Sequence, residues 1–270
     1  MTGLDTLHTL STTWPASSVT VDGHEVAIVR TTGSGEGLPV LWLPGAQGTA
    51  QSWCSQLLAF GARRTLVAVN YPIVGDGAAL AALVVALADA LGLPRFDLVG
   101  SSLGGYIAQW VAVNHAERLG RVVLGNTFCD PTPAQSPDKL AALEGRDAAA
   151  IHAEVIARLQ ALPEGPFKAL QLEIVGRGQT PELLRARMLA VQRAVPVPAL
   201  AIPDERLLLI ECDNDPLIPP PMRAALRAAH PGAQAVVIEG GGHYPALLRT
   251  QAYDAAVAGF LGLEAAAARA

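Results

Sequence analysis

The chain reads as an α/β protein: a mostly parallel central sheet with helices on both faces and a helical insertion. Three observations carry this reading. Short runs rich in Val, Leu and Ile recur along the chain, and most are continuously apolar, as strands covered on both faces of a parallel sheet must be. Helix-like stretches separate them, so strand and helix alternate as βαβ units require. One long interval breaks the alternation and holds helix-like segments alone.

The elements follow in order. "VTVDGHEVAIVR" (19–30) is two alternating runs about Asp22-Gly23, a residue pair suited to a tight hairpin turn. After the glycine-rich link "TTGSGEG", the run "LPVLWLPG" (38–45) is stopped by Pro44-Gly45. "TLVAVNYP" (65–72), "RFDLVGS" (95–101), "RVVLGNTF" (121–128), "RLLLIECD" (206–213) and "QAVVIEGGG" (234–242) continue the strand series. Helices are expected at 51–61, 77–91, 103–116, 219–230 and 246–263. Between the strands at 121–128 and 206–213 lie "DPTPAQSP", "DAAAIHAEVIARLQAL" and "TPELLRARMLAVQRAV". A structureless loop of that length does not belong in a compact domain. Residues 130–203 are therefore read as a helical cap, inserted after the sixth strand over one end of a core formed by 1–129 and 204–270.

Composition narrows the function. With 51% hydrophobic residues, 16% charged residues and a net charge of −5, the chain has a large core and no basic surface for nucleic acid. The N-terminus has neither a basic n-region nor an apolar h-region. The most apolar stretch, 78–93, is interrupted by Asp89 and falls short of the roughly 20 residues of a membrane span. Cys54, Cys129 and Cys212 are too scattered for a disulfide framework or a zinc site. These features predict a cytoplasmic protein with small-molecule chemistry, no membrane or nucleic-acid partner, and no metal or cofactor.

The chemistry concentrates where strands end. "FDLVGSSLGGYIAQW" runs from a buried strand into a helix and places Ser102 between Gly100 and Gly104. A sharp strand-to-helix turn strains its central residue and admits only small neighbours two positions away. It lifts the Ser102 hydroxyl above the sheet edge, at a helix N-terminus suited to negative charge. A serine needs a base. Of six histidines, His243 follows the last strand in "VVIEGGGHYPAL", delivered by three glycines to a flexible turn at the same edge as Ser102. His115 and His230 instead close helices, where histidine has an ordinary structural use. The base needs a carboxylate, and "ECDNDPLIPP" offers Asp215, which the Pro-rich turn holds at a loop tip. Asp213 and Asp130 compete for the role. Trp42, Trp53 and Trp110 read as core aromatics, and "RARMLAVQR" as a solvated helix face.

In these stretches the chain resembles the α/β-hydrolase superfamily over essentially its whole length. "LPGAQGTAQSW", "NYP", "GSSLGGYIAQ", "NTFCD" and "GGGHYPALLR" carry the likeness. "NTFCD" and "LPGAQGTA" draw it toward the maspardin-type branch. The resemblance implies an oxyanion hole from the backbone amides of Ala46 and Leu103. Tyr71, Tyr106 and Tyr244 stand beside the site motifs and are read, with Gly45, as core or rim of the substrate pocket. Pro44 stands where many relatives carry histidine, but the donating amide belongs to the residue after Gly45. Maspardin itself has lost the histidine and is regarded as an interaction protein, so the presence of His243 favours catalysis. The expectation is a serine esterase for a small, moderately apolar substrate. A carbon–carbon hydrolase or lactonase with the same triad, and a non-catalytic maspardin-like scaffold, are the alternatives.

Overall fold

The computed structural model describes residues 3–263. Helix α1 (Gly3–Thr13) leads into strands β1 (Ala16–Val21), β2 (His24–Arg30) and β3 (Val40–Leu43). Helix α2 (Cys54–Phe60), β4 (Leu66–Val69), α3 (Gly77–Ala90), β5 (Phe96–Ser101), α4 (Leu103–Asn114) and β6 (Leu119–Gly125) alternate after them. Four helices then intervene: α5 (Pro137–Gly145), α6 (Ala148–Gln160), α7 (Pro166–Gly176) and α8 (Pro181–Gln192). The chain returns through β7 (Leu207–Cys212), α9 (Pro220–Ala229), β8 (Gln234–Ile238), α10 (Pro245–Leu248) and α11 (Thr250–Leu261).

The eight strands form one sheet in the order β1-β2-β4-β3-β5-β6-β7-β8. The β1–β2 and β2–β4 pairings are antiparallel and the remaining pairs parallel. Asp22 and Gly23 both take positive φ (49° and 79°), the paired left-handed turn that fits the twist of a two-residue hairpin. Every residue of β3, β4 and β7 is buried. Successive side chains alternate between faces: Leu41 and Leu43 join the core beneath α3 and α4, whereas Val40 and Trp42 join the core beneath α2 and α11. Asp76 caps α3 by accepting from Ala79 N at 2.9 Å, and the helix behind it is buried along most of its length.

The structure departs from the sequence reading at several element ends and in one missed helix. Strand β6 ends at Gly125, and Asn126, with φ of 42°, begins a turn. Helix α1 received no sequence assignment. Its Thr- and Ser-rich segment has modest helix propensity. It is held by burying Leu10 and packing on α2 and α7, a tertiary reward that local pattern does not display.

The face beneath α2 and α11 also holds a pH-sensitive contact. Gln56 Nε2 donates to Ala246 O (3.1 Å) and to Asp254 Oδ1 (2.8 Å). Burial pushes the Asp254 carboxyl from 3.8 up to about 6, against the lowering effect of the Gln56 bond. A carboxyl raised on folding favours the native state most below its unfolded value and loses that contribution as pH rises through about 6. Asp254→Asn keeps an acceptor for Gln56, so it is expected to raise stability at pH 8 by on the order of 2 kcal/mol. Urea unfolding of both proteins at pH 4, 6 and 8 checks this, and parallel curves would assign the titration elsewhere.

Candidate active site

Strand order reverses at β3, with β4 on one side and β5 on the other. In open α/β sheets the crevice at such a point, beyond the carboxyl ends of the strands, is where ligands bind. Gly45 and Ala46 follow β3 there, and Ser102 follows β5.

Ser102 has φ 53° and ψ −119°, a strained conformation for a residue with a Cβ. The surroundings hold it in place. Its N–H donates to Gly125 O at 2.9 Å, and its carbonyl accepts from Thr127 Oγ1 (2.6 Å) and Tyr106 N (3.0 Å). The flanking glycines are required by space. A Cβ on Gly100 would lie 2.3 Å from Gly104 O, and one on Gly104 would lie 2.1 Å from Leu43 O.

His243 is fixed by three consecutive side chains at the end of β7. Asp213 Oδ1 accepts from Gly240 N (2.8 Å), Asn214 Oδ1 accepts from Gly242 N (2.8 Å), and Asp215 accepts from the imidazole. The glycine turn read as flexible is therefore braced at each end, and Asn126 Nδ2 adds a bond to Gly242 O at 3.0 Å. His243 Nδ1 lies 2.9 Å from Asp215 Oδ2 and 3.0 Å from Oδ1. An ionised carboxylate only accepts, so Nδ1 carries the proton and Nε2 is left with its lone pair.

Asp215 also accepts from Leu217 N (2.8 Å), Ile218 N (3.2 Å) and Asn126 Nδ2 (2.7 Å). Burial opposes its charge, but the His243 ring, Asn126 and the Leu217 amide outweigh this and hold the carboxyl below its usual range. The competing carboxylates have other work: Asp213 braces Gly240, and Asp130 accepts from Thr132 N at 2.9 Å.

A cavity of about 470 Å³ opens onto both Ser102 and His243. Gly45, Ala46 and Tyr244 line it, and Leu143, Gln171 and Met188 of the inserted helices contribute to its wall. Among the described residues no hydrogen bond joins Ser102 Oγ to the imidazole. Neither Ala46 nor Leu103 gives its N–H to a protein acceptor among the described residues, and Leu103 is the first residue of α4, where no intrahelical acceptor exists.

Tyr106 departs from expectation. It does not line the cavity. Its ring stacks on Phe128 at 5.3 Å, and its hydroxyl bonds both Val195 O (3.1 Å) and Val195 N (3.0 Å). It thus pins the segment returning from α8; Tyr106 stands in the first turn of α4 but buries its ring in the core, which is why sequence adjacency to Ser102 misplaces it.

Two partners escape the sequence reading. Asn126 links Asp215 to the histidine loop; its signal is a polar residue closing an apolar run, the same signal that exposes Ser102. Arg187 of α8, which the sequence places on a solvated face, is 1% exposed. Its guanidinium donates to Gly48 O (2.5 Å) and Tyr71 O (2.9 Å) and lies 5.4 Å from the Tyr71 ring centroid. Tyr71 in turn donates to Pro44 O at 3.1 Å, so the inserted helices hold the loop that carries Ala46. Burial lowers the guanidinium to about 10, with Tyr71 opposing the shift.

Residues 40–258 match the profile of the Alpha/beta hydrolase family, most of the chain. The chain belongs to the alpha/beta hydrolase family. Over 252 residues it is 28% identical to the protein named Putative carbamate hydrolase RutD of Caulobacter sp. (strain K31), spanning 84% of this chain and 91% of that one. It is 34% identical to maspardin of Rattus norvegicus over 95 residues, 34% of this chain and 36% of maspardin. A crystal structure of a hydrolase from Pseudomonas aeruginosa PA01 superposes with a TM-score of 0.75 at 23% identity, over 92% of this chain and 98% of that one. Among the described residues no helix is long and apolar enough to cross a membrane.

Proposed function

We propose that the chain is a serine hydrolase that cleaves carboxylic esters of small, moderately apolar substrates through an acyl-enzyme. The observation that carries this is the buried Asp215–His243 pair, whose imidazole faces the cavity that Ser102 also lines. His243 Nε2 takes the Ser102 proton as Oγ attacks the acyl carbon. The carbonyl oxygen gains negative charge and is held by the amides of Ala46 and Leu103. The tetrahedral species collapses when the alkoxide leaves with the proton from His243. Water, deprotonated by the same imidazole, then attacks the acyl-Ser102 ester and releases the acid. The inserted helices act as a cap that shapes the acyl and alcohol pockets.

The RutD likeness covers 84% of the chain, whereas the maspardin likeness covers 34%. That difference supports an enzyme over a maspardin-type scaffold, and the paired His243 supports it further. A fluorophosphonate probe tests the reading. It is expected to form an adduct on Ser102, located by peptide mass and lost in Ser102→Ala. An unlabelled wild-type protein would leave the scaffold reading instead.

A further inference from the structure

Arg187 is buried without a counter-ion: among the described residues no carboxylate pairs with it. Its guanidinium instead bonds two main-chain carbonyls, Gly48 O at 2.5 Å and Tyr71 O at 2.9 Å, and lies 5.4 Å from the centroid of the Tyr71 ring. A cation is costly to bury, and an apolar side chain of similar length would fill the same volume without that cost. An arginine does what such a chain cannot: its planar fork bonds two carbonyls at once. Gly48 follows β3 and Tyr71 follows β4, whereas Arg187 belongs to the inserted helix α8.

The Gly48 carbonyl is where the insertion meets the site. It accepts from Arg187 and also from Gln179 Nε2 at 3.2 Å. The Gly48 N–H donates to Gly45 O at 2.9 Å, which closes a turn over Ala46 and Gln47. Gly45 O and the Ala46 N–H are the two ends of one peptide unit, planar and trans. Fixing that carbonyl toward Gly48 therefore aims the Ala46 N–H the opposite way. At the entry to the turn, the Tyr71 hydroxyl donates to Pro44 O at 3.1 Å, so Tyr71 holds one end and Arg187 the other. The turn lies against the nucleophile: a Cβ on Gly45 would sit 3.2 Å from Ser102 Cβ and 3.7 Å from its Oγ.

We infer that Arg187 is a positioning residue: by clamping the Gly48 carbonyl to Tyr71 it sets the direction of the Ala46 amide, so that the oxyanion hole is assembled only with α8 seated on the core. This rests on the hydrolase reading and adds to it a residue outside the triad and the hole. Arg187 does not line the cavity and acts through the turn alone. The hole holds the oxyanion in acylation and deacylation alike. A misaimed hole therefore lowers kcat and leaves KM, and does so equally for every acyl group, because the reacting carbonyl is common to all. A residue that only shaped the acyl pocket would move KM and discriminate by chain length.

Steady-state turnover of p-nitrophenyl acetate, butyrate and hexanoate by Arg187→Met tests it. The expected loss in kcat is about 10- to 100-fold, below the roughly 10²- to 10³-fold of deleting an oxyanion donor outright. It should be equal for the three esters to within about twofold, with KM within about threefold of wild type. Arg187→Lys keeps one donor for the Gly48 carbonyl and is expected to fall between wild type and Arg187→Met. A kcat at the wild-type level, a loss that falls on KM, or a loss that changes with chain length overturns the assignment. Should thermal melts show that Arg187→Met does not fold, Arg187→Lys is judged alone: a uniform loss in kcat sustains the clamp, and wild-type turnover overturns it. Fluorophosphonate labelling keeps the two readings apart, because a wild type that neither labels nor turns over fails the hydrolase reading and not the clamp. The clamp is then judged by hydrogen–deuterium exchange of the peptide spanning 44–53. Faster exchange in the folded Arg187 variant than in wild type sustains it, and equal exchange overturns it.

Discussion

Ser102→Ala is expected to lower kcat for a p-nitrophenyl ester by about 10⁴- to 10⁶-fold, the scale on which a removed nucleophile acts. The melting temperature should stay within a degree or two. The two halves of that expectation come from different observations. The Ser102 backbone, not its hydroxyl, joins the fold: the N–H and carbonyl bond Gly125, Thr127 and Tyr106, and alanine keeps the same Cβ in the same strained turn. The hydroxyl makes no hydrogen bond among the described residues, so its loss leaves no buried group unpaired. Gly100→Ala supplies the contrast, since its Cβ would lie 2.3 Å from Gly104 O and must deform the turn itself. Steady-state turnover and thermal melts of both variants decide the matter; Ser102→Ala turnover within tenfold of wild type would place the nucleophile elsewhere.

What could be read from the chain follows from range. The parallel strands announce themselves because burial on both faces demands continuous apolarity, as in the fully buried "LLLIEC" of β7. Ser102 is legible because its constraint is local: the glycines that its turn requires stand within two residues. His243 and Asp215 are legible as strand-end polar residues. Their pairing is not, because Asp213, Asn214 and Asp215 all face the histidine loop, and only the fold shows that Asp215 alone reaches the ring. Arg187 lies in a helix whose inward face is set by the core it covers, so the burial of its guanidinium among carbonyls has no sequence signature. Tyr106 errs in the opposite direction, because adjacency in sequence to Ser102 is not adjacency in the cavity.

Asp215→Asn is the second large effect, and it arises from hydrogen-bond bookkeeping alone. The carboxylate accepts from Leu217 N and Ile218 N at Oδ1, from Asn126 Nδ2 at Oδ2, and from His243 Nδ1. An asparagine serves the two backbone donors with its oxygen, but its NH₂ then faces the Asn126 NH₂ and the imidazole N–H. The ring answers by moving its proton to Nε2, so that Nδ1 accepts; Nε2 then cannot take the Ser102 proton. A loss of about 10³- to 10⁴-fold in kcat is expected, the scale of a histidine held in the wrong tautomer. Asp213→Asn keeps an acceptor for Gly240 N and should stay within a few-fold of wild type. Stability carries a second signature. The Asp215 carboxyl lies below its ordinary value of 3.8 in the fold, so its contribution is present above that value and disappears as pH falls through the folded one. Wild type is therefore expected to exceed Asp215→Asn in denaturant midpoint at pH 7, and the gap to close below about pH 4. A gap that persists into acid would show that packing of the turn, and not the charge on the carboxylate, sets the difference.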